Sequence, residues 1–310
     1  MSPAPSLRAP TFRTTPVRVR VPATSANLGP GFDCAGLALG LFDTVVVRAT
    51  GSRLVVRVEG EGAADLPRDR HHLVVKALRT TFDALGGQPH GLEVSCTNAI
   101  PQSRGLGSSS AAIVAAVLAA RALVVGGDEL LPDAAALQLA TDLEGHPDNV
   151  APCLYGGLVL SWTGDAGVRA LRLDVTDTLA PVAFVPATRS STKKVRGLLP
   201  ATVPHADAAA NAARAALLTH ALCTDPDLLL DATQDWLHQS YRASAMPRTA
   251  ELVAALRADG IAAVVSGAGP TVLALTTVAA RRAVLDRVPG GWTALALDVE
   301  PVGAQVTVLA

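Results

Sequence analysis

The chain has 310 residues, of which 49% are hydrophobic and 17% charged, and its formal net charge is −1. These values exclude a disordered protein, and the length predicts two domains or one large two-lobed domain. Because the charge is balanced and no long basic run occurs, we expect neither nucleic acid nor an anionic membrane surface as a partner. The expected partner is a small molecule.

The N-terminal segment and the cysteines bear on where the protein works. Residues 1–15 contain Arg and Pro without the apolar core of a signal peptide, so we expect a disordered tail. The longest apolar run, Ala111–Ala120, is about half of the roughly 20 residues that a membrane span needs. The absence of CxxC favours reduced, mostly buried thiols at Cys34, Cys96, Cys153 and Cys223. We therefore expect a cytoplasmic protein.

The chain from residue 17 to residue 62 is predicted to be mostly β. The segment VRVRV at 17–21 alternates apolar and charged residues, as a half-buried strand does. Glycine, Asn and Pro crowd SANLGPGFD at 25–33, which predicts a loop. Two further strands are predicted at 42–50 and 53–62, joined by a hairpin turn at 51–52.

Helices are predicted in the next part of the chain. Apolar residues recur at helical spacing over 71–87, and a strand follows at 91–101. A helix buried nearly all round should end at Leu123, and another should span Asp133–Glu144. The stretch GHPDNVAP that follows is expected to be irregular, because it holds two prolines.

A second unit is predicted after a boundary near Thr163–Val168, which divides the chain into residues 16–165 and 166–310. Its predicted elements are strands at 168–175 and 180–186, a polar loop at 187–204, Ala-rich helices between 206 and 246, a helix at 249–258 and strands at 262–267 and 271–275. Because short turns between strands permit antiparallel pairing, the pattern indicates an α+β fold rather than a doubly wound parallel sheet.

The stretch IPQSRGLGSSSAA at 100–112 indicates a possible binding site. A strand, a glycine-rich turn with Ser108, Ser109 and Ser110, and a buried helix would expose backbone N–H groups at the positive end of a helix dipole, where phosphate binds readily. It does not match GxxxxGK[ST], because no Lys follows the second Gly. Spacing alone leaves a phosphate loop and a plain capped loop equally open.

Three other stretches combine glycine with polar residues. PATSANLGPGFD holds Asn27 and Asp33, which form a turn or face a ligand. EGHPDN concentrates ionisable groups after an apolar helix, and its carboxylates are oxygen ligands of the kind that Mg²⁺ prefers. VSGAGPTVLAL places Gly267 and Gly269 between apolar strands, as in a tight hairpin or in backbone that lies close to a ligand.

Taken together, these stretches resemble the GHMP kinases over 17–310, with PQSRGLGSSSA as the phosphate loop and SGAGPT as the third motif. The resemblance implies the two-lobed GHMP kinase fold, with a ribosomal-protein-S5-like ATP-binding domain and a ferredoxin-like α/β C-terminal domain. It implies a site for ATP at Pro101, Arg104, Gly105, Leu106, Gly107, Ser108, Ser109, Ser110 and Ala111. Mg²⁺ would be held by Glu144 with Ser108 or Ser109.

Within that superfamily, VRVPATSANLGPGFDCAGLAL and EGHPDNVAP resemble the homoserine kinases. STKKVRGLLP and HQSYR resemble the segments that supply two arginines to the α-carboxylate of the substrate, a group that a guanidinium binds through two bonds. The resemblance implies a substrate site at Asn27, Asp33, His146, Asn149, Thr192, Arg196, Arg242 and Gly267. Among these, Asn27, Asn149 and Arg196 would take part in catalysis. Some family members carry an insertion where only Gly145 separates Glu144 from His146 here.

The activity implied is transfer of the γ-phosphoryl group of MgATP to the hydroxyl of L-homoserine, in threonine biosynthesis. We hypothesise no dedicated side-chain base, although Lys193 and Lys194 lie near the substrate segment. Three alternatives remain: a GHMP kinase for another alcohol, a non-catalytic sensor, and a dinucleotide-binding oxidoreductase, whose GxGxxG is not found after an early strand. A homodimer is compatible with the resemblance, and the sequence leaves the oligomeric state open.

Overall fold

The computed structural model describes residues 10–190 and 195–310, which form an α+β fold with two sheets. The strands are Val17–Asn27 (β1), Gly31–Thr50 (β2), Val55–Gly60 (β3), Gly91–Asn98 (β4), Leu158–Gly164 (β5), Gly167–Leu173 (β6), Val182–Pro186 (β7), Ala262–Val265 (β8), Val272–Leu275 (β9), Trp292–Ala296 (β10) and Gln305–Val308 (β11). The helices are Leu73–Ala84 (α1), Ser108–Leu123 (α2), Gly127–Leu130 (α3), Asp133–Glu144 (α4), Pro147–Tyr155 (α5), His205–Cys223 (α6), Leu229–Ala232 (α7), Gln239–Arg242 (α8), Pro247–Ala258 (α9) and Arg281–Leu285 (α10).

The larger sheet has seven strands in the order β11-β1-β2-β4-β3, with β5 paired to β2 and β6 paired to β5. Its first strand follows the predicted alternation: Val17, Val19 and Val21 are fully buried. The predicted hairpin at 51–52 is wrong, because β3 pairs in parallel with β4 and not with β2. The chain instead crosses β4 where Gly91 leaves room for it, since a Cβ on Gly91 would lie 1.8 Å from the carbonyl oxygen of Ser52.

The predicted loop at 25–33 is mostly strand. β1 continues to Asn27 and β2 begins at Gly31, so only Leu28–Pro30 form a turn. The polar side chains of Thr24 and Ser25 are fully buried there and have hydrogen-bond partners, which lets a polar sequence form an interior strand. Packing between elements therefore overrides local propensity here.

The stretch GHPDNVAP is also more regular than predicted, since most of it belongs to α5. Pro147 occupies the first helical position, where no N–H is needed. Pro152 lies inside the helix and cannot bond to the carbonyl of Asp148. Gly36 of β2 packs against that carbonyl, because a Cβ on Gly36 would lie only 1.9 Å from its oxygen. This close contact between helix and sheet accommodates the irregularity.

The helix α2 packs against strands and helices on most sides, and its apolar residues from Ile113 to Ala120 are buried. This arrangement fixes its N-terminus, which begins at Ser108. The smaller sheet has the order β10-β7-β9-β8. The β5–β6 hairpin passes through residue 165 and keeps β6 in the larger sheet, so the division into 16–165 and 166–310 stays a prediction.

Two further observations concern the chain as a whole. All four cysteines are free, as predicted; Cys96 and Cys153 are buried, and Cys34 and Cys223 are half-buried. Across the described ranges, none of the helices has the length and apolar character that crossing a membrane requires.

Candidate active site

A cavity of about 710 Å³ opens where the β1–β2 turn, the loop before α2, the α4–α5 corner, the segment after β7 and the β8–β9 turn converge. Most residues predicted from the sequence line it. They are Asn27, Asp33, Gly105, Gly107, Ser108, Ser109, Glu144, His146, Asn149, Arg196, Arg242 and Gly267. The structure thus brings together segments that lie far apart in the sequence.

The loop before α2 needs its glycines. Gly107 is the N-cap of α2 with φ of 71°, and a Cβ on it would lie 2.0 Å from Oγ1 of Thr24. Gly105 has φ of 81°, and a Cβ there would lie 2.2 Å from the carbonyl oxygen of Ser266. Because the cap has no side chain to bond the first turn, the helix presents its N–H groups at the cavity. This end of α2 is suited to an anion.

Some of the predicted ATP-binding residues do not face the cavity. Pro101, Arg104, Leu106, Ser110 and Ala111 are absent from its lining. The guanidinium of Arg104 donates to the carbonyl oxygens of Pro186 (2.9 Å), Gln102 (3.1 Å) and Ala187 (2.9 Å). Arg104 therefore joins the loop to the end of β7.

Glu144, the last residue of α4, lies against the first turn of α2. Its Oε1 accepts hydrogen bonds from Oγ of Ser109 at 2.5 Å and from Oγ of Ser110 at 2.8 Å. Ser108 also lines the cavity. Within residues 10–190 and 195–310, no group of three or more His, Cys, Asp or Glu side chains is arranged to hold a metal ion.

Two asparagines in the cavity are held by buried neighbours. Oδ1 of Asn149 accepts from Oγ1 of Thr24 at 2.8 Å. Asn27 donates from Nδ2 to the carbonyl oxygen of Gly267 at 3.0 Å, and its Oδ1 accepts from the backbone N–H of Asp33 at 3.0 Å. Asn27 thereby connects the β1–β2 turn to the β8–β9 turn. Thr24 was not singled out from the sequence, because a threonine within a strand carries no distinguishing signal.

Arg196 and Asp33 form a two-bond ion pair. Nη1 and Nη2 of Arg196 donate to the two carboxylate oxygens of Asp33 at 2.8 and 2.5 Å. This pairing raises the pKa of Arg196 above its usual range. Both side chains are part-exposed, so a ligand in the cavity can reach them.

Arg242 approaches the same place from α8 and is buried. Burial and the nearby charge of Arg196 lower its pKa, and its Nε has no hydrogen-bond partner. His238 orients it: Nε2 of the imidazole donates to the carbonyl oxygen of Gly29 at 2.9 Å, which leaves Nδ1 to accept from Nη1 of Arg242 at 3.3 Å. Burial lowers the pKa of His238, consistent with this neutral form.

The ring of Phe32 lies among these cations. The guanidinium carbons of Arg196 and Arg242 are 5.4 and 5.2 Å from its centre. His238 stacks on the ring with 5.1 Å between centroids. Such contacts hold the two guanidinium groups around one ring without using their hydrogen-bond donors. Phe32 and His238 were not predicted from the sequence, because a single phenylalanine or histidine carries no distinguishing pattern.

His146 contacts the cavity with a buried acid behind it. Its Nδ1 lies 2.6 Å from Oδ1 of Asp148, a residue that is 2% exposed. This hydrogen bond raises the pKa of His146, against the opposing effect of burial. Asp148 stood in the EGHPDN stretch but was not predicted as a site residue. It fixes the orientation of the imidazole.

A second cavity of about 180 Å³ lies beside the first and shares Ser103, Ser108 and Ser109 with it. His72 lines it and is 3% exposed. Because Nδ1 of His72 accepts from the N–H of Val74, Nε2 carries the hydrogen, and this donor has no partner. An unpartnered buried donor in a cavity is suited to a ligand acceptor.

Asp43 lines the same second cavity. Oδ1 accepts from the backbone N–H groups of Ala99 and Ile100 at 2.7 and 2.9 Å. Burial nevertheless raises the pKa of Asp43 to about 6. Neither His72 nor Asp43 was predicted, because single polar residues in otherwise apolar segments gave no pattern. The predicted substrate residue Thr192, with Lys193 and Lys194, lies outside the described residues.

The fold and the glycine-rich cavity define a GHMP-type kinase. The family model for the GHMP kinases N terminal domain matches residues 72–157, and the model for the GHMP kinases C terminal matches residues 205–292. These matches confirm the superfamily and the fold class inferred from the motifs.

The relatives narrow the assignment. A homoserine kinase from Streptomyces avermitilis is 58% identical over 98% of this chain and 100% of its own length, and one from Streptomyces coelicolor is 57% identical over 98% of both chains. The crystal structure of homoserine kinase from Cytophaga hutchinsonii superposes with a TM-score of 0.81 at 27% identity, covering 97% of this chain and 100% of that one. The chain belongs to the homoserine kinase family.

Proposed function

We propose that the chain transfers the γ-phosphoryl group of ATP to the side-chain hydroxyl of L-homoserine, giving O-phospho-L-homoserine in threonine biosynthesis. The observation that carries the proposal is one cavity with an anion-binding helix end on one side and Arg196, Arg242 and Asp33 on the other. The relatives named above support it, since their names carry the same activity.

The charges at one end of the cavity suit an amino acid. An α-carboxylate requires donors in a fixed fork, which Arg196 and Arg242 supply. An α-ammonium requires an acceptor, which Asp33 supplies. Mevalonate, an alternative alcohol, has a carboxylate but no ammonium and would leave Asp33 without a partner. Asn27 and Asn149 would orient the hydroxyl between the amino acid and the phosphates.

The other end of the cavity suits ATP. The N–H groups of the first turn of α2 would bind its phosphates, and Gly105 and Gly107 let the loop before that turn pack against Ser266 and Thr24. The second cavity, next to this loop, would take the base. There the unpartnered Nε2–H of His72 and the carboxyl of Asp43 offer a donor and an acceptor to a purine.

Magnesium would be held by Glu144 with a serine of the loop. The residues fit the ion, because a carboxylate and hydroxyl oxygens already converge where the phosphates would lie. When bound, Mg²⁺ would neutralise phosphate charge during transfer. Ser109, which contacts Glu144 and lines the cavity, is better placed for this role than Ser108.

We also propose that no side chain acts as a dedicated base. Among the described residues that line the cavity, each carboxylate is already paired: Asp33 with Arg196, Glu144 with the serines and Asp148 with His146. The proton of the hydroxyl would pass to a phosphate oxygen or to water. A replacement of one ionisable residue that removed nearly all kcat with both KM values unchanged would contradict this.

The test of the proposed function is a coupled assay of ADP release with MgATP. L-homoserine should be turned over fastest in a panel with L-threonine, L-serine and mevalonate. Turnover of another alcohol without turnover of homoserine would refute the substrate. The cytoplasmic location and the homodimer remain predictions from the sequence.

A further inference from the structure

The phosphate end of the main cavity has few cations in the part of the chain that the structure describes. No lysine is among its described lining residues, whose arginines are Arg189, Arg196 and Arg242. Arg196 and Arg242 lie together around Phe32, at the end proposed for the amino acid. Arg104 of the loop is committed to three backbone carbonyls. Arg189 is left as the described arginine without a role.

Arg189 lies next to the phosphate loop. The backbone N–H of its neighbour Ser190 donates to the carbonyl oxygen of Ser103 at 2.9 Å. Ser103 lines both cavities and stands in the loop itself, with φ of 56°. Arg189 itself lines the cavity proposed for transfer, and its neighbour is bonded to a residue shared with the cavity proposed for the base.

The present partner of Arg189 is a weak one. Nη2 donates to Oδ2 of Asp65 at 2.8 Å, and the two side chains are 51% and 57% exposed. An exposed ion pair of this kind contributes little to stability, because solvent screens the two charges. Asp65 comes from the segment after β3, and its neighbour Leu66 lines the second cavity. The pair therefore joins a residue that lines the main cavity to a segment that lines the second one.

We propose that Arg189 exchanges Asp65 for the polyphosphate of ATP and supplies the cationic side chain that the glycine-rich loop lacks. A triphosphate carries more charge than one carboxylate and accepts two parallel bonds from a guanidinium, so it outcompetes an exposed aspartate. The inference rests on the proposed function and assigns Arg189 as a phosphate-binding residue.

The experiment compares Arg189→Gln, Arg189→Lys and Asp65→Asn with the wild type in steady-state assays. Arg189→Gln should lower kcat/KM for MgATP by about 10- to 100-fold, the loss of one or two bonds to a charged group. The KM for L-homoserine should change by less than about 2-fold, and Arg189→Lys should recover part of the loss. Asp65→Asn breaks the same ion pair but should leave kcat/KM for MgATP unchanged or higher.

Calorimetry supplies a second measurement. Arg189→Gln should weaken binding of ATP and leave binding of adenosine unchanged. Equal losses in Arg189→Gln and Asp65→Asn would make the pair structural and overturn the proposal, as would an Arg189→Gln enzyme within about 2-fold of the wild type. Wild-type protein that fails to phosphorylate L-homoserine refutes the proposed function, whereas the comparison of ATP with adenosine still decides the role of Arg189.

Discussion

Arg196 and Asp33 are bonded through both carboxylate oxygens although 163 residues separate them in the chain. Asp33 lies at the start of β2, and Arg196 lies in the segment after β7. A ligand with a single charge would have to break this pair and leave one member unpaired. A zwitterion can divide the pair and satisfy both members, since its carboxylate takes Arg196 and its ammonium takes Asp33. The ion pair thus favours an amino acid over a simple acid or alcohol.

The second guanidinium should matter through its geometry as well as its charge. Arg242→Lys keeps the charge but loses the fork, so we expect the KM for L-homoserine to rise by about 10-fold or more while the KM for ATP stays within about 2-fold. Arg214→Lys is the matched control, because Arg214 also lies near an aromatic ring, Trp236, but not in the cavity. Equal effects of the two variants on the KM for homoserine would contradict the assignment.

Substitutions at Gly107 and Gly126 allow two effects to be measured separately: the strain of a left-handed backbone and the lack of space for a Cβ atom. Gly107 and Gly126 are both N-caps with φ of 71° and 75°. A Cβ on Gly126 meets nothing within 4 Å, whereas one on Gly107 meets Thr24 at 2.0 Å. Gly126→Ala should cost about 1–2 kcal/mol of stability and keep full activity. Gly107→Ala should also lower kcat/KM for MgATP by about 100-fold, as misplaced binding groups do. Denaturation and steady-state assays of both variants measure this.

Glu144 should govern the response to magnesium. Glu144→Gln keeps the shape of the side chain but removes its charge, so the Mg²⁺ concentration for half-maximal rate should rise by at least about 10-fold. Glu129→Gln in α3, at an exposed position, is the control and should titrate like the wild type. Rates measured against Mg²⁺ at saturating substrates test this, and an unchanged titration of Glu144→Gln would remove Glu144 from the metal site.

The His146–Asp148 pair should be visible in titrations. Because Asp148 raises the pKa of His146, Asp148→Asn should lower it, and NMR of the imidazole resonances measures the change. A raised pKa in the folded state means that the pair contributes stability fully below pH 6.5, which is lost as pH rises through the raised value. The wild type should therefore lose stability relative to His146→Gln as pH rises from 6.5 through the raised pKa of His146. A pKa of His146 that is the same in both proteins would show that Asp148 does not control it.

Asp43 should make stability depend on pH in mildly acidic solution. Its pKa is about 6 in the folded chain against 3.8 for an ordinary carboxyl, so the protonated form stabilises the fold below about pH 4 and this contribution is lost as pH rises through 6. Asp43→Asn retains an oxygen for the N–H groups of Ala99 and Ile100 and does not titrate. From pH 4 to pH 8 the wild type should lose about 1–3 kcal/mol relative to this variant in urea denaturation. If the difference in free energy of unfolding between the wild type and Asp43→Asn stayed constant from pH 4 to pH 8, the raised pKa of Asp43 would be refuted.

The sequence predicted those features that depend on local pattern. The alternation of Val17, Val19 and Val21 predicted β1, and the glycine and serine run predicted a turn followed by a buried helix at Ser108. The contact of Glu144 with the first turn of α2 agrees with the motif order implied by the family resemblance.

Features that depend on long-range packing could not be predicted. The α5 helix tolerates Pro152 because Gly36, more than a hundred residues earlier, fits against the carbonyl of Asp148. The connection after β2 was predicted as a hairpin because a two-residue turn is compatible with one. The sequence of this segment does not show that β3 pairs with β4 instead of β2. Arg104 was assigned to the ATP site from the resemblance, and the sequence could not show that the carbonyls of Pro186 and Ala187, from another part of the fold, accept bonds from its guanidinium.

The three bonds of Arg104 differ in kind from the contacts at the amino-acid end of the cavity. A guanidinium stays charged at every pH that a protein meets, and backbone carbonyls do not ionise. The hydrogen bonds between the loop and the segment that carries Arg189 therefore do not depend on pH. At the opposite end, His146 gains a proton as the medium acidifies through its raised pKa. Mild acidification should thus change the charge of the amino-acid end, while Arg104 still joins the loop to the end of β7.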